Sequence, residues 1–219
     1  MPARPRARAA RARRSGRSNG GSIFAEDPKV AAPDARILWE AELDPSALTV
    51  TAIASDLADP DRIDIEALAP WLTLVTDIVG REHAVLSDGL RHLRLDLAQG
   101  SLAHGPVVLH YHLHGITSAE IRLLPLRRLI DLCRYRRFAA HLFPVDPRID
   151  RWLLALRVHD AVRAGATQRE IGIELYGAER IGPGWHDGAE SLRQRVRRLV
   201  RDARALASGG YRSLMRRSG

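Results

Sequence analysis

The feature that most constrains this chain is a change in hydrophobic period near Pro125. Before it, apolar residues alternate every second position; after it, they return every three or four. From Arg91 to Leu97, the residues Leu93, Leu95 and Leu97 alternate with His92, Arg94 and Asp96. From Val107 to His114, Leu109, Tyr111 and Leu113 alternate with His110, His112 and His114. That pattern gives a strand one apolar and one solvated face, as in antiparallel sheets. Asp88-Gly89 lies between Ala84–Leu86 and Leu90–Leu97 and predicts a hairpin. Shorter strands are expected at Ile37–Glu42, Thr49–Ala54, Trp71–Ile78 and Glu120–Leu123. Residues 23–124 thus predict a small antiparallel β-meander or partial barrel.

The C-terminal side predicts helices. Pro125 suits a first helical position, with Leu126, Leu129, Ile130 and Cys133 behind it and Arg127, Arg128, Arg134, Arg136 and Arg137 around them. Residues 125–146 are read as this basic helix and a connector. Asp146-Pro147 then predicts an N-cap and N1 for a second helix with an apolar stripe of Ile149, Trp152, Leu153 and Leu156, closed by Gly165 at C′. Thr167 and Glu170 have the spacing of a capping box ahead of Ile171 and Leu175. Asp187 and Glu190 could form another, ahead of a helix from about Ser191 to Leu206.

In that last helix, Leu192, Val196, Leu199, Val200, Ala203 and Leu206 form one stripe. The rest is Arg193, Gln194, Arg197, Arg198, Arg201 and Arg204, with Arg195 at the margin. Asp202 is the only acid between Ser191 and Leu206, whereas solvated helix faces usually mix signs. Residues 147–219 therefore predict a trihelical, helix-turn-helix-like bundle. Its second turn, Gly177 to Asp187, is longer than the usual three or four residues, and Trp185 within it is expected to pack back on the helices. The expected class is α+β.

Charge placement supports a polyanionic partner. The net +8 is carried almost wholly by arginine, Lys29 being the only lysine. Residues 1–22 carry seven arginines and no acid. Residues 23–150 hold thirteen basic against nineteen acidic groups, and residues 151–219 fourteen against seven. Two basic ends thus flank an acidic middle. Residues 1–22 lack large apolar side chains and are expected to be a disordered Arg-rich tail. They fit either a DNA-contacting arm or an extension from an upstream start codon; no apolar h-region makes them a signal peptide.

Other chemistries find little footing. His110, His112 and His114 share one strand face, but side chains two residues apart on a strand lie roughly 7 Å from each other, and three cannot converge on one ion without a bend. No metal or cofactor is expected. Cys133 is the sole cysteine, so there is neither an intramolecular disulfide nor a zinc-binding pair, which suits a reducing cytoplasm. No run of eighteen apolar residues occurs. Nucleophile-elbow, P-loop and zinc-protease motifs are missing, so an enzyme is not expected.

With those residues in view, the chain from about Arg36 to Arg216 resembles a bacterial family, the RovC-like type VI secretion transcription factor DNA-binding domain. The stretches that carry the resemblance are GREHAVLSDGLRHLRLDL, GPVVLHYHL, LRRLIDLCRYRRF, LFPVDPR, GATQREIGIELYGAERI with Trp185, and SLRQRVRRLVRDARALASGGYRSLMR. The resemblance implies DNA binding and transcription regulation, of type VI secretion or of conjugative transfer. Relatives include oligomeric activators, and antiactivators that block another regulator by protein contact, so a homo-oligomer and a regulator-protein partner are implied beside double-stranded DNA. Many relatives have a Trp- and Tyr-rich domain ahead of the strands, where this chain has its Arg-rich tail.

The site residues expected from the helix pattern fall in two classes. Gln194, Arg195 and Arg198 are candidates for base contact. Thr167, Gln168, Arg169, Arg193, Arg197, Arg201 and Arg204 are candidates for phosphate contact. Antiactivation by protein contact is the alternative function.

Overall fold

The computed structural model describes residues 29–31, 34–35, 38–39, 43–56, 58–77, 79–181 and 190–215, and the backbone of 6–7. The chain divides into two compact units, one centred on residues up to 144 and the other spanning 145–214. The fold is α+β: a mixed sheet followed by a helical region.

Five strands build the sheet: β1 (Leu48–Ala54), β2 (Leu72–Thr76), β3 (Glu82–Ser87), β4 (His92–Gln99) and β5 (Val107–Tyr111). Their order across the sheet is β2-β3-β4-β1-β5. The Asp88-Gly89 hairpin joins β3 to β4 as expected, with Leu86 opposite Leu93. One pairing departs from the expected antiparallel meander. β1 runs parallel to β4, Leu48 opposite Leu95, and antiparallel to β5, Val50 opposite Tyr111. Strand alternation cannot signal this, because it reports which face is buried and not which strand lies alongside. Arg6 and Ala7 pair in parallel with Thr73 and Leu74 at the sheet edge; the rest of the basic N-terminal segment lies outside the described residues, as does most of Ile37–Glu42.

Leu48, Val50, Leu72, Leu74, Ala84, Leu86, Leu93, Leu95 and Leu97 share one face and form the main core. A short helix, α1 (Ile65–Leu68), adds Ile65 and Leu68, capped by Asp64 through a 3.1 Å hydrogen bond from the Ala67 amide. On the opposite face, Leu38, Val75 and Val85 form a smaller cluster.

The long helix α2 (Ile116–Tyr135) corrects two expectations. Glu120–Leu123 is helix, not strand. Pro125 is the tenth residue of the helix and not its first. Two turns of helix precede the proline, and burial of Pro125 with Leu129 and Leu132 offsets the lost hydrogen bond. Leu126 and Cys133 also pack on the core, whereas Ile130 faces outward. Burial pushes the Cys133 thiol up to about 11, so it stays protonated near neutrality. Beyond α2, Phe138 meets Trp71 edge-on at 6.3 Å, and the Arg128 guanidinium stacks 4.3 Å from the Phe143 ring.

The second unit contains α3 (Ile149–Arg163), α4 (Gln168–Tyr176), α5 (Ala178–Ile181) and α6 (Glu190–Ala205), then a π-turn at Leu206–Gly210 and α7 (Tyr211–Met215). Asp146-Pro147 precedes α3 by a turn instead of forming its first residues; the Asp146 carboxylate accepts from the Arg148 amide at 2.8 Å. The inward face of α3 is also corrected. Ala155 and Val158 are buried, with Leu154, Ala161 and Val162 beside them, while Ile149, Leu153 and Leu156 are exposed. Small residues face inward because Val196, Val200 and Ala203 of α6 approach closely there.

Candidate nucleic-acid interface

The basic helix depends on a local geometry that begins at Gly165. This residue ends α3 in the left-handed region, φ +89°, which costs glycine little. Two residues later, the Thr167 hydroxyl accepts from the Glu170 amide at 3.2 Å, and the Glu170 carboxylate accepts from the Thr167 amide at 2.7 Å. The predicted capping box is present. It directs Ile171 into the unit's core, where Ile181 is fully buried.

Thr167 is wholly engaged in that box, since its hydroxyl also donates to Glu170 at 2.8 Å. Those hydrogen bonds hold the Glu170 carboxyl below the usual carboxylate range. Gln168 and Arg169 are exposed on the first turn of α4, but so are Glu170 and Glu174. The surface of α4 is therefore mixed in sign.

The surface of α6 is different. The expected stripe is borne out: Val196, Val200 and Ala203 are buried, and Leu192, Leu199 and Leu206 pack against them. With 3.6 residues per turn, Gln194, Arg197, Arg198 and Arg201 point away from that stripe. Arg204 lies on one shoulder, while Arg195 and Arg193 occupy opposite margins. Gln194, Arg195, Arg197, Arg198, Arg201 and Arg204 are all exposed.

Two acids trim this field. Glu190, in the first turn, pairs with Arg193 and accepts from Gln194 Nε2 at 3.2 Å. The Gln194 hydrogen bond and the Arg193 charge hold the Glu190 carboxyl below its ordinary range. Arg193 is drawn in by this contact, its side chain only 19% exposed. Asp202 lies 3.4 Å from Arg151 of α3 and 3.7 Å from Arg201. Arg195, Arg198 and Arg204 have no carboxylate partner among the described residues, and Arg198 lies on the outward strip. The Glu190 clamp on residues three and four positions ahead was readable from spacing; the tie from Asp202 to Arg151 joins two helices and was not.

Asp187 and Trp185, and with them the second expected capping box, lie outside the described residues. Of the histidine row, His112 Nε2 is 2.9 Å from the Thr51 hydroxyl, and the His112 and His114 rings meet edge-on at 6.4 Å. Among the described residues, no group of three His, Cys, Asp or Glu side chains is placed to hold a metal ion. No described helix is long and apolar enough to cross a membrane.

Residues 115–216 match the model of a protein family, the RovC DNA-binding domain, described as a DNA-binding domain of transcription factors of the type VI secretion system. The match begins at the N-cap of α2, includes the helical unit and leaves the sheet outside. No curated protein matches the chain.

Proposed function

From the match of residues 115–216 to a transcription-factor DNA-binding domain family, we propose that this protein is a bacterial transcriptional regulator, not an enzyme, acting on double-stranded DNA in the cytoplasm. Helix α6 enters the major groove. The observation that carries this reading is the outward strip of α6, cationic and nearly free of acids, on a helix anchored by its other face. Guanidinium groups suit both the acceptor edge of guanine and the phosphate chains beside the groove.

In this reading Gln194, Arg195 and Arg198 meet base edges. Arg197, Arg201 and Arg204 meet phosphates, with Gln168 and Arg169 reaching the backbone from α4. Arg193 joins them if DNA draws it from Glu190. Thr167 acts through its amide-ordering cap, since its hydroxyl is already used. Residues 1–22 serve as an electrostatic arm, adding affinity without sequence preference.

The test is a gel shift of the full chain on promoter fragments from its own genetic neighbourhood against random DNA of equal length, repeated across salt. Preference for one fragment is expected, with a log–log salt slope that flattens when residues 1–22 are deleted. Equal, weak binding to every fragment would overturn sequence-specific reading. A second reading is favoured by one observation, the exposed Ile149, Leu153 and Leu156 on α3. These offer a partner regulator an apolar stripe, as an antiactivator would. Conjugation genes or secretion genes beside this one would indicate which process it controls.

A further inference from the structure

Six of the thirteen basic groups in residues 23–150 fall within residues 122–137, at the C-terminal end of α2, beside a single acid, Asp131. Two of the six serve the fold. Arg122 donates to the Ala47 carbonyl at 3.2 Å and to the Ser118 carbonyl at 2.8 Å. Arg128 donates to the Leu142 carbonyl at 2.8 Å and stacks on Phe143. The other four, Arg127, Arg134, Arg136 and Arg137, are exposed and pair with no carboxylate among the described residues, Asp131 included. A helix end attracts cations by itself, because its last carbonyls lack partners. Here the backbone answers part of that need: the Arg136 amide donates to the Leu132 carbonyl at 2.9 Å. That closure puts Arg136 in the left-handed region, φ +53°. It is the one non-glycine there among the described residues, at a position where helices ordinarily place glycine. Glycine would relieve the strain, so the fold alone does not account for the arginine. The turn is firmly anchored, since Phe138 packs on the core against Trp71 and meets Phe143 at 5.8 Å.

We propose that this turn is a second DNA contact, a phosphate-binding knuckle of Arg134, Arg136 and Arg137. Arg127 extends it, two turns back along the same face of α2 and about 10.5 Å away along the axis. The proposal rests on the reading that the chain acts on double-stranded DNA, and it adds to α6 a surface in the other unit. Arginine forks match phosphate oxygens, and Tyr135, 61% exposed among them, brings a hydroxyl as a further donor. Such contacts position a protein without reading sequence. The rest of residues 23–150 holds seven basic groups against eighteen acidic ones, which repel DNA. The knuckle therefore also fixes which end of the first unit approaches the duplex. An acidic protein face would satisfy the same charges. DNA is favoured because the match to a DNA-binding domain family begins at Gly115, taking in the whole of α2 and leaving the sheet out.

The experiment titrates the full chain, across salt, with the promoter fragment it prefers and with random DNA of equal length. With Arg134→Gln, Arg136→Gln and Arg137→Gln combined, affinity for both duplexes should fall at least tenfold, and the log–log salt slope should drop by about two to three. The preference for one duplex over the other should stay within about twofold, because phosphates carry no sequence. Lysine at the same three positions keeps the charges and should restore most of the slope. Arg136→Gly should weaken both duplexes while holding or raising the melting temperature, a combination that a merely structural arginine would not give. Hydroxyl-radical footprints of the glutamine triple should lose protection at backbone positions other than those lost in Arg204→Ala. Unchanged affinity and slope in the triple, on a chain that does bind DNA, would overturn the proposal and leave the knuckle to an acidic protein face. So would footprint losses that coincide with those of Arg204→Ala, or a triple that abolishes the preference. A chain that binds neither duplex would instead overturn the DNA reading itself, and the knuckle with it.

Discussion

His83 Nδ1 lies 2.7 Å from Oδ1 of Asp96, joining β3 to β4 across a buried face of the sheet. The same carboxylate receives Nε and Nη2 of Arg94, each at 2.8 Å, and Arg94 also donates to the Trp39 carbonyl. The second ring nitrogen of His83 lies 3.4 Å from Asp77. Arg94 is only 4% exposed, a position where an unpaired charge is very costly.

This relationship predicts an acid-sensitive sheet. Burial opposes ionisation of Asp96, but the hydrogen bonds and charges of His83 and Arg94 outweigh it and hold the carboxyl below its ordinary value. A depressed folded-state pKa contributes stability that is full above the unfolded value and is lost as pH falls through the folded one. Urea midpoints measured from pH 7 down to pH 2 should fall in that acid range. In Asp96→Asn the midpoint should be lower at pH 7 and depend less on acid. Arg94→Met, which leaves Asp96 without its main cation, should cost about 3–5 kcal/mol at pH 7. A midpoint unmoved by either variant would remove the network from the stability of the sheet.

Removing the α4 cap should loosen the helical unit. Thr167→Ala deletes the acceptor for the Glu170 amide and the hydroxyl donor to the Glu170 carboxylate, leaving that carboxylate only the residue 167 amide. A loss of about 1 kcal/mol is expected, read by urea unfolding followed through far-ultraviolet circular dichroism. Thr167→Ser, which keeps the hydroxyl, should stay within a few tenths of a kcal/mol, roughly the margin of noise for an exposed substitution. Equal losses for both would mean that the hydroxyl is not what matters there.

Gly100 makes a sharper case. It follows β4 with φ +82°, and a Cβ there would lie 1.9 Å from the Ala52 carbonyl oxygen in β1. Neither backbone can move without breaking the parallel pairing of β1 and β4. Gly100→Ala should therefore cost about 3 kcal/mol, strain and overpacking combined. Gly105, also at positive φ but with open space around it, should tolerate alanine better. Thermal melts of the two variants side by side would check the difference.

Legibility in the sequence followed the range of the interactions. The Thr167–Glu170 box, the Asp88-Gly89 hairpin and the α6 stripe each lie within a few residues and could be read directly. The parallel partner of β1 is nearly fifty residues away, Leu48 pairing with Leu95, and leaves no local mark. Glu120–Leu123 misled because four residues are too short to distinguish periods, and Pro125 because burial overrode its local preference for a first turn. The outward Ile149, Leu153 and Leu156 misled differently: apolar residues at helical spacing indicate a face, not which way it points. Within α6, the arginines and the Glu190 hold on Arg193 follow from local spacing, but the tie from Asp202 to Arg151 joins two helices and left no local mark.

The functional reading rests on a split within α6 that two substitutions can separate. Arg198 lies on the outward strip and has no carboxylate partner among the described residues, so its fork is available to a base edge. Arg204 lies on the shoulder, six residues or about one and two-thirds turns further on, where a groove-bound helix would pass a phosphate chain. Arg198→Ala should lose about 1–3 kcal/mol of discrimination against altered guanine positions while binding random DNA nearly as before. Arg204→Ala should weaken operator and random DNA alike and lower the salt slope by about one counterion. Both side chains are exposed and away from the stripe, so neither variant should alter the circular dichroism spectrum. If both leave operator binding intact, α6 does not read DNA, and its arginines must be explained by a protein partner instead.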